Sequence, residues 1–241
     1  MRIWDINPGY LNRQSLLGEH RELHGVVAII QHNKKGYSKH PETLRWVGHG
    51  WALRQRHRQL VAEMQLRGYH DNSPVTLRSA KNIWPACFID DPHQQFEILK
   101  QKYLLKEQGR IPLPASAQQL WSQHKYSVLA RNVALYKKLG KEVAQIKPRA
   151  DFSALAMRLT QVLRVTPSAG GIRNALQHMW GYVDNVTLDQ QAELRLQTTN
   201  KSQVASWTMK TLLAEIQKRA VASGDKYLLA STALSELGAW Y

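Results

Sequence analysis

The chain has 241 residues, of which 43% are hydrophobic and 21% are charged, enough apolar content for one large core or two smaller ones. This composition excludes a chain that is disordered throughout. Lysine and arginine outnumber aspartate and glutamate by 33 to 18, for a net charge of +15. Residues 1–92 carry 13 basic and 8 acidic residues, and residues 93–241 carry 20 and 10. A polyanion such as nucleic acid is the expected partner, although a basic protein without one has the same composition.

Cysteine usage and hydropathy indicate a cytoplasmic protein. The single cysteine, Cys87, has no partner for an intramolecular disulfide, and we expect it to be a small buried residue in a reducing compartment. The first ten residues, MRIWDINPGY, lack the apolar core of a secretory signal. No run approaches the roughly 18 apolar residues of a membrane span. We therefore expect a protein without membrane contact, and we expect it to be a monomer.

The predicted elements are helical along the chain. The first dozen residues are expected to be extended, with a turn at Pro8-Gly9. A helix begins near Asn12, because apolar residues such as Leu16 and Leu23 recur on one face. A polar loop follows it. Further helices are predicted over residues 41–67, 94–108, 117–146, 152–165, 169–185, 189–196, 200–222 and 226–238.

Two stretches rich in proline or glycine interrupt the helical pattern. Residues 71–92 are expected to be mostly irregular, and residues 109–114, GRIPLP, form a boundary between two groups of helices. The sequence shows no convincing strand alternation. The prediction is an all-α fold with two helical domains, residues 1–110 and 111–241. The first is a helix bundle with an extended N-terminal segment.

The segment LLGEHRELH, residues 16–24, places two carboxylates on one helix. Glu19 and Glu22 are three residues apart and share a face. Because Glu22 is next to the apolar stripe, we expect it at the edge of the core, with Arg2 and Arg21 supplying positive charge around it. The alternative is an ordinary solvated helix surface, and the periodicity does not exclude it.

Two blocks in the first third of the chain resemble the pyrimidine-dimer DNA glycosylases related to the phage endonuclease V. The first is MRIWDINPGYLNRQSLLGEHRELHGVVAII, and the second is a helix that contains VGHG and ends in AEMQLRGY. The resemblance covers about residues 1–75. Its most specific part is the segment from Arg13 to His24 with its spacing from the N terminus.

The resemblance implies roles for individual residues. In that family the nucleophile is the α-amino group of the mature N terminus, which falls on Met1, and the essential glutamate of the first helix falls on Glu22. Supporting DNA contacts fall on Arg2, Gln14 and Arg21. In the phage enzyme the initiator methionine is removed and a small residue carries the amine. Here arginine follows Met1, so we expect the methionine to be retained.

One family residue is missing. The arginine one turn after the glutamate is replaced by Gly25, so that DNA contact would have to come from His24 or His49. The sequence does not decide between them.

These residues suit Schiff-base chemistry. α-Amino groups have a reference pKa of about 7.7–8.0, against about 10.4 for lysine, so a useful fraction is unprotonated at neutral pH. Such an amine displaces the base from deoxyribose C1′ and forms an imine. Loss of a C2′ proton then eliminates the 3′ phosphate, while Glu22 stabilises the cationic sugar and moves protons. No cofactor is required.

The expected function is therefore a DNA glycosylase with abasic-site lyase activity. Its partner would be double-stranded DNA with damaged or modified bases, in a protein associated with the nucleoid. Two alternatives remain. The first is a glycosylase or lyase for another modified base, and the second is a non-catalytic DNA- or RNA-binding protein with the same fold.

Histidines on the first two helices raise the question of a metal site. His20 and His24 are four residues apart, but the zinc-protease pattern requires a glutamate directly after the first histidine, where Arg21 stands. We therefore predict no metal site. His57 lies within the apolar seam of the second helix and is predicted to be a core histidine.

Candidate DNA contacts also occur outside the first helix. His49 lies in VGHG, where flanking glycines permit close approach of DNA. Lys34 and Lys35 lie in a basic loop with Tyr37, which suits phosphate tracking but equally an ordinary solvated loop.

The second half resembles the YbgA-type helical domain over about residues 115–240, through LWSQHKYSVLARNVALYKKLGKEVA and NALQHMWGYVDNVTLDQQAEL. Within one long predicted helix, His124, Lys125, Arg131 and Asn132 would form a polar face. We hypothesise that this domain binds DNA or recognises the lesion. The alternative is that these polar residues are merely exposed beside a core of Trp121 and its neighbours.

Overall fold

The computed structural model describes residues 1–184, 204 and 206–241. Regular secondary structure in these residues is entirely helical, which confirms the all-α prediction. The helices are α1 (Arg13–His32), α2 (Pro41–Trp46), α3 (Gly50–Leu66), α4 (Pro92–Lys102), α5 (Ala117–Leu129), α6 (Val133–Ala144), α7 (Ser153–Leu163), α8 (Ala169–Trp180), α9 (Met209–Ser223), α10 (Lys226–Leu229) and α11 (Ala233–Glu236). Short 3₁₀ turns cover Pro8–Tyr10 and Leu237–Trp240.

Some predicted helices lie partly or wholly outside the described residues. These are residues 189–196, the last residue of 169–185, and positions 200–203 and 205 of 200–222. Among the described helices, none is both long and apolar enough to cross a membrane.

Helix α1 starts where the sequence predicts. Asn12 is its N-cap, and the Asn12 side chain accepts a hydrogen bond from the Ser15 N–H at 2.9 Å. The helix ends at Asn33, which adopts the left-handed conformation with φ 49°. Its buried apolar residues are Leu16, Leu23, Val26 and Val27.

The single helix predicted over residues 41–67 is wrong. The chain breaks between α2 and α3, where Gly48 has a φ of +81° and His49 becomes the N-cap of α3. At Gly50 an added Cβ would lie 3.0 Å from the carbonyl oxygen of Arg78. The break therefore lets the irregular segment after α3 pack closely against the start of that helix.

The long helix predicted over residues 117–146 is also wrong. It is divided into α5 and α6 by Asn132, whose side chain accepts the Leu135 N–H at 2.8 Å and starts a new helix. The stretch predicted as residues 226–238 is likewise divided, into α10, α11 and a 3₁₀ turn. Apolar periodicity continues through such breaks, which is why it did not predict them.

The hydrophobic core continues across the predicted domain boundary. One cluster of buried residues runs from Ile3 to Leu159, and a second runs from Tyr126 to Leu237. The Ile111 N–H donates to the Gly9 carbonyl oxygen at 2.9 Å. Gly109 lies so close to Tyr10 that a Cβ would come within 2.4 Å of its carbonyl carbon. The division into residues 1–110 and 111–241 stays a prediction, and the two segments share much of one core.

Buried ionisable groups should make stability fall in acid. Burial lowers the pKa of His124 to about 4. Between about pH 6.5 and pH 4 the unfolded chain therefore binds a proton that the folded protein does not, and the free energy of unfolding falls as the pH falls through this range. Burial opposes ionisation of Glu63, but Arg110 and Arg67 hold its pKa at about 2. The stabilising contribution of ionised Glu63 is fully present above about pH 4.3 and is lost as the pH falls towards 2.

We predict that the urea midpoint falls from pH 6.5 to pH 4, and that His124→Phe flattens this dependence while leaving the loss below pH 4 in place. The measurement is urea unfolding at several pH values. An unchanged slope in His124→Phe would contradict the assignment.

Candidate active site at the N terminus

The first seven residues form an extended segment, and residues 1–184, 204 and 206–241 contain no strand with which it could pair. Its backbone groups are mostly buried, so they need hydrogen-bond partners from elsewhere. Side chains of four helices supply them. These contacts are Trp4 N–H to Glu19 Oε1 (3.2 Å), Arg45 Nη2 to Ile3 O (3.0 Å), Arg56 Nη1 to Ile6 O (2.8 Å) and Asp5 N–H to Gln95 Oε1 (2.8 Å). The segment is therefore fixed from α1, α2, α3 and α4 at once.

Glu19 and Arg56 form a buried ion pair beneath this segment. Arg56 Nε donates to Glu19 Oε1 at 2.7 Å and Nη2 donates to Oε2 at 2.8 Å, a bidentate arrangement. Burial raises the pKa of Glu19, and the guanidinium of Arg56 opposes that rise. Our sequence reasoning gave neither residue a role. The signal was present, because Glu19 is three residues after Leu16 and four before Leu23, within the apolar stripe of α1.

Asp5 links the segment to the second half of the chain. Its carboxylate accepts from Arg45 at 2.8 Å and from Arg164, at the end of α7, at 2.7 Å. Gln95 Nε2 donates to the same carboxylate at 2.9 Å. Residues from both predicted domains thus hold the backbone four residues after the N terminus.

Glu22 lies directly against the start of the chain. The Arg2 backbone N–H donates to Glu22 Oε2 at 2.5 Å. Three covalent bonds separate that nitrogen from the Met1 amine, so the amine lies within roughly 6 Å of the carboxylate. Met1 and Glu22 are both only partly buried, and the Met1 side chain packs against the core. The sequence-predicted nucleophile and carboxylate are therefore brought together.

The side chain of Arg2 is held by the protein itself. Its Nη2 lies 2.6 Å from Asp90 Oδ2, and the guanidinium lies 4.8 Å from the ring centroid of Trp4. Arg2 therefore forms one side of the site, but a phosphate would have to compete with Asp90 for it. Its contact with DNA stays a prediction.

Gln14 and Arg21 are exposed on one stripe of α1, beside Glu22. Successive residues are rotated by about 100°, so Gln14, Gly18, Arg21 and Gly25 follow one another along the helix. Gly18 and Gly25 are the i−4 and i+3 neighbours of Glu22. An added Cβ at either glycine would have nothing within 4 Å. At these two positions, α1 therefore has no side chain that could cover Glu22 on the solvent side.

The other predicted DNA contacts lie away from this pair. Lys34 and Lys35 are exposed in the loop after α1, and ten helical residues from Glu22 to the end of α1 correspond to roughly 15 Å. The His49 ring is turned towards the irregular segment after α3, where its Nδ1 lies 3.3 Å from the Ile83 carbonyl oxygen. Contacts of all three residues with DNA stay predictions.

The polar face predicted on the second half does not form. His124 is buried, and its Nδ1 lies 2.9 Å from the Leu120 carbonyl oxygen. Arg131 binds the carboxylate of Glu236 through two hydrogen bonds, at 2.9 and 3.1 Å. Lys125 lies over the rings of two tyrosines, and Asn132 caps α6. That prediction fails because contacts within the fold occupy these side chains, through burial of His124, the ion pair of Arg131, the ring contacts of Lys125 and the helix cap of Asn132.

Cys87, predicted to be buried, is exposed. It lies in the irregular segment between α3 and α4, where no periodic packing covers it.

A group of potential metal ligands occupies another side of α1. His20 and His24 are joined there by His57 and Asp71. His57 is buried, as predicted, but its neighbours are imidazoles as well as apolar residues.

Two protein-family models match separate parts of the chain. Residues 1–77 match the family model described as pyrimidine dimer DNA glycosylase. Residues 125–237 match a model described as a protein of unknown function (DUF1722). Both resemblances stated from the sequence are thereby confirmed. No curated protein and no solved structure matches the chain.

The glycosylase match covers the extended segment and helices α1 to α3. It therefore includes Met1, Glu22 and the Glu19–Arg56 pair. Asp90, Gln95 and Arg164, which also hold the N-terminal segment, lie outside it.

We predict that Arg56→Leu destabilises the protein by about 3–5 kcal/mol, because it leaves the Glu19 carboxylate buried without its partner. The matched control is Arg58→Leu, an exposed arginine two residues along the same helix, which should change stability by less than about 0.5 kcal/mol. Chemical unfolding measures both values. If Arg56→Leu lowers the free energy of unfolding no more than Arg58→Leu does, the buried Glu19–Arg56 pair does not stabilise the protein.

Proposed function

We propose that this protein is a DNA glycosylase with abasic-site lyase activity, which acts on damaged pyrimidines through the α-amino group of Met1. The glycosylase part is supported by the family match over residues 1–77. The mechanism is supported by one observation above others, the contact of the Glu22 carboxylate with the Arg2 N–H. A sugar carbon between the Met1 amine and that carboxylate would be within reach of both.

The proposed reaction begins with attack of the unprotonated Met1 amine on deoxyribose C1′. The C1′–base bond breaks, and the base leaves with the bonding electron pair and is protonated. Opening of the sugar ring gives an imine between Met1 and C1′. The C2′ proton is then removed, and its electrons expel the 3′ phosphate. Hydrolysis of the imine returns the free amine.

Glu22 has two tasks in this scheme. Its negative charge stabilises the cationic sugar that develops as the base leaves. Its carboxylate oxygens also accept and return protons at the sugar. The contact with Arg2 holds one oxygen at the peptide next to the nucleophile, which fixes the carboxylate relative to the reacting carbon.

DNA would approach along the stripe of α1 that contains Gln14, Gly18, Arg21 and Gly25. Two glycines allow the phosphate backbone to come close to the helix, and Arg21 supplies a charge for it. The loop with Lys34 and Lys35 would reach the same strand several nucleotides away. The damaged nucleotide must leave the base stack to reach Glu22, which costs less where a lesion already weakens stacking.

We predict that Glu22→Gln abolishes strand cleavage and leaves DNA affinity within a few fold, because it removes the charge but keeps the shape. Glu97→Gln, at an exposed glutamate of α4, is the control and should retain full activity. The assay is cleavage and binding of duplexes with a cyclobutane dimer or an abasic site. Robust turnover by Glu22→Gln would rule out the role given to this carboxylate.

Extension of the N terminus separates the enzyme from the non-catalytic alternative. A Gly-Ser extension before Met1 removes the free amine at that position, so cleavage should be lost while DNA binding changes little. Unchanged cleavage by the extended protein would exclude Met1 as the nucleophile. Cleavage at another modified base, with none at a cyclobutane dimer or an abasic site, would favour the alternative of a glycosylase or lyase for another modified base.

Gly25→Arg tests the proposed DNA-binding stripe. The position is open, and arginine has a higher helix propensity than glycine, so the variant should fold at least as stably. We expect tighter binding to duplex DNA. The slope of log K against the logarithm of the salt concentration should also become steeper, by the amount that about one additional phosphate contact produces. Gln161→Arg adds the same charge at an exposed site on α7. Equal gains in both variants would contradict this location of the interface.

A further inference from the structure

Three histidines and one aspartate converge between α1, α3 and the segment that follows α3. One potential ligand atom from each of His20, His24, His57 and Asp71 lies within 4.8 Å of all the others. The three imidazole rings are in mutual contact, with centroid separations of 4.7, 5.2 and 4.9 Å. This convergence comes from three separate chain segments, so it is not a consequence of helical spacing alone.

Hydrogen bonding leaves this cluster incomplete. His20 Nε2 lies 3.1 Å from Asp71 Oδ1, so this ring nitrogen has a hydrogen-bond partner. The Nε2 atoms of His24 and His57 are buried and have no hydrogen-bond partner among the residues that the structure describes. His57 Nε2 comes within 3.5 Å of Asp71 Oδ2 without forming a hydrogen bond. Two buried ring nitrogens without a partner at the same place are costly unless another group binds them.

The chemistry of the donor set suits a metal ion. Imidazole nitrogens bind metal ions in their neutral form. The carboxylate of Asp71 supplies a negative charge.

We propose that His20, His24, His57 and Asp71 bind one Zn²⁺ ion in a four-coordinate site. A tetrahedral zinc site has ligand atoms about 2.0–2.2 Å from the ion and hence roughly 3.3–3.6 Å from one another. The separations of up to 4.8 Å would close to these values by small side-chain rotations. Three nitrogens and one carboxylate oxygen form a donor set that zinc accepts, and four protein ligands are typical of a structural site.

An ion has a route to the cluster from solvent. His57 and Asp71 line a surface cavity of about 400 Å³, together with residues of α3 and the C-terminal turn. The site is thus accessible in the folded protein, although the Nε2 atoms of His24 and His57 are buried.

The cluster is separate from the proposed catalytic residues. On α1, His20 and His24 project about 160–200° away from Glu22. The ion would join α1 and α3 to Asp71, in a segment without regular secondary structure. We therefore assign the ion a structural role, in which it holds that segment against α1 and α3. This role does not depend on the proposed function.

The test uses untagged full-length protein that has been treated with a chelator and titrated with Zn²⁺ in a calorimeter. Co²⁺ serves as the spectroscopic probe, because four-coordinate Co²⁺ has intense visible absorption. We expect one equivalent of either ion to bind, a four-coordinate Co²⁺ spectrum, and a rise in Tm of roughly 5–10 °C at a hundredfold excess of zinc over Kd.

The variants His24→Ala and Asp71→Ala should each weaken zinc binding by at least an order of magnitude and remove the Co²⁺ spectrum. His70→Ala, an exposed histidine beside Asp71, is the matched control and should bind like the parent. The parent titration decides the proposal even if a variant fails to fold. Absence of zinc and cobalt binding in the parent, or binding that only His70→Ala weakens, would overturn it.

Discussion

The position of the first seven residues depends on one constraint. A buried extended backbone needs hydrogen-bond partners, and the described part of the chain offers it no strand. Side chains of four helices meet that need, and three of the four, Glu19, Arg45 and Arg56, are charged. Glu19 binds the Trp4 N–H and is itself neutralised by Arg56, which also binds the Ile6 carbonyl. Loss of one member would leave the others buried and unpaired, so the network acts as a unit. The network therefore holds the start of the chain in place, so that Met1 stays next to Glu22.

The fold class was accessible from the sequence because it depends on local apolar spacing, whereas the proposed catalytic pair, Met1 and Glu22, came from the family resemblance. Apolar periodicity predicted α1, and the Asn12 cap marks its start. The spacing of Glu22 from the N terminus carried the family resemblance. Periodicity did not predict the breaks at Gly48 and Asn132, where a positive φ and a side-chain cap interrupt the helix while the apolar pattern continues.

Contacts between distant segments were beyond sequence reasoning. Arg164 is 159 residues from Asp5 in the chain but binds its carboxylate. The same limit explains the metal-ligand cluster. The spacing of His20 and His24 was visible, but the prediction of no metal site compared them with a single-helix protease motif. His57 and Asp71 complete the group only through the packing of α3 on α1, which no local pattern shows.

Borohydride trapping shows whether the Met1 amine forms an imine with DNA. Untagged protein is incubated with duplex DNA that carries an abasic site or a cyclobutane dimer, borohydride is added, and the cross-linked peptide is identified by mass spectrometry. We expect a reduced adduct on the α-amine of Met1, formed by the parent protein and lost when the N terminus is extended. An adduct on a lysine side chain, or no adduct from a protein with an intact free N terminus, would exclude Met1 as the nucleophile.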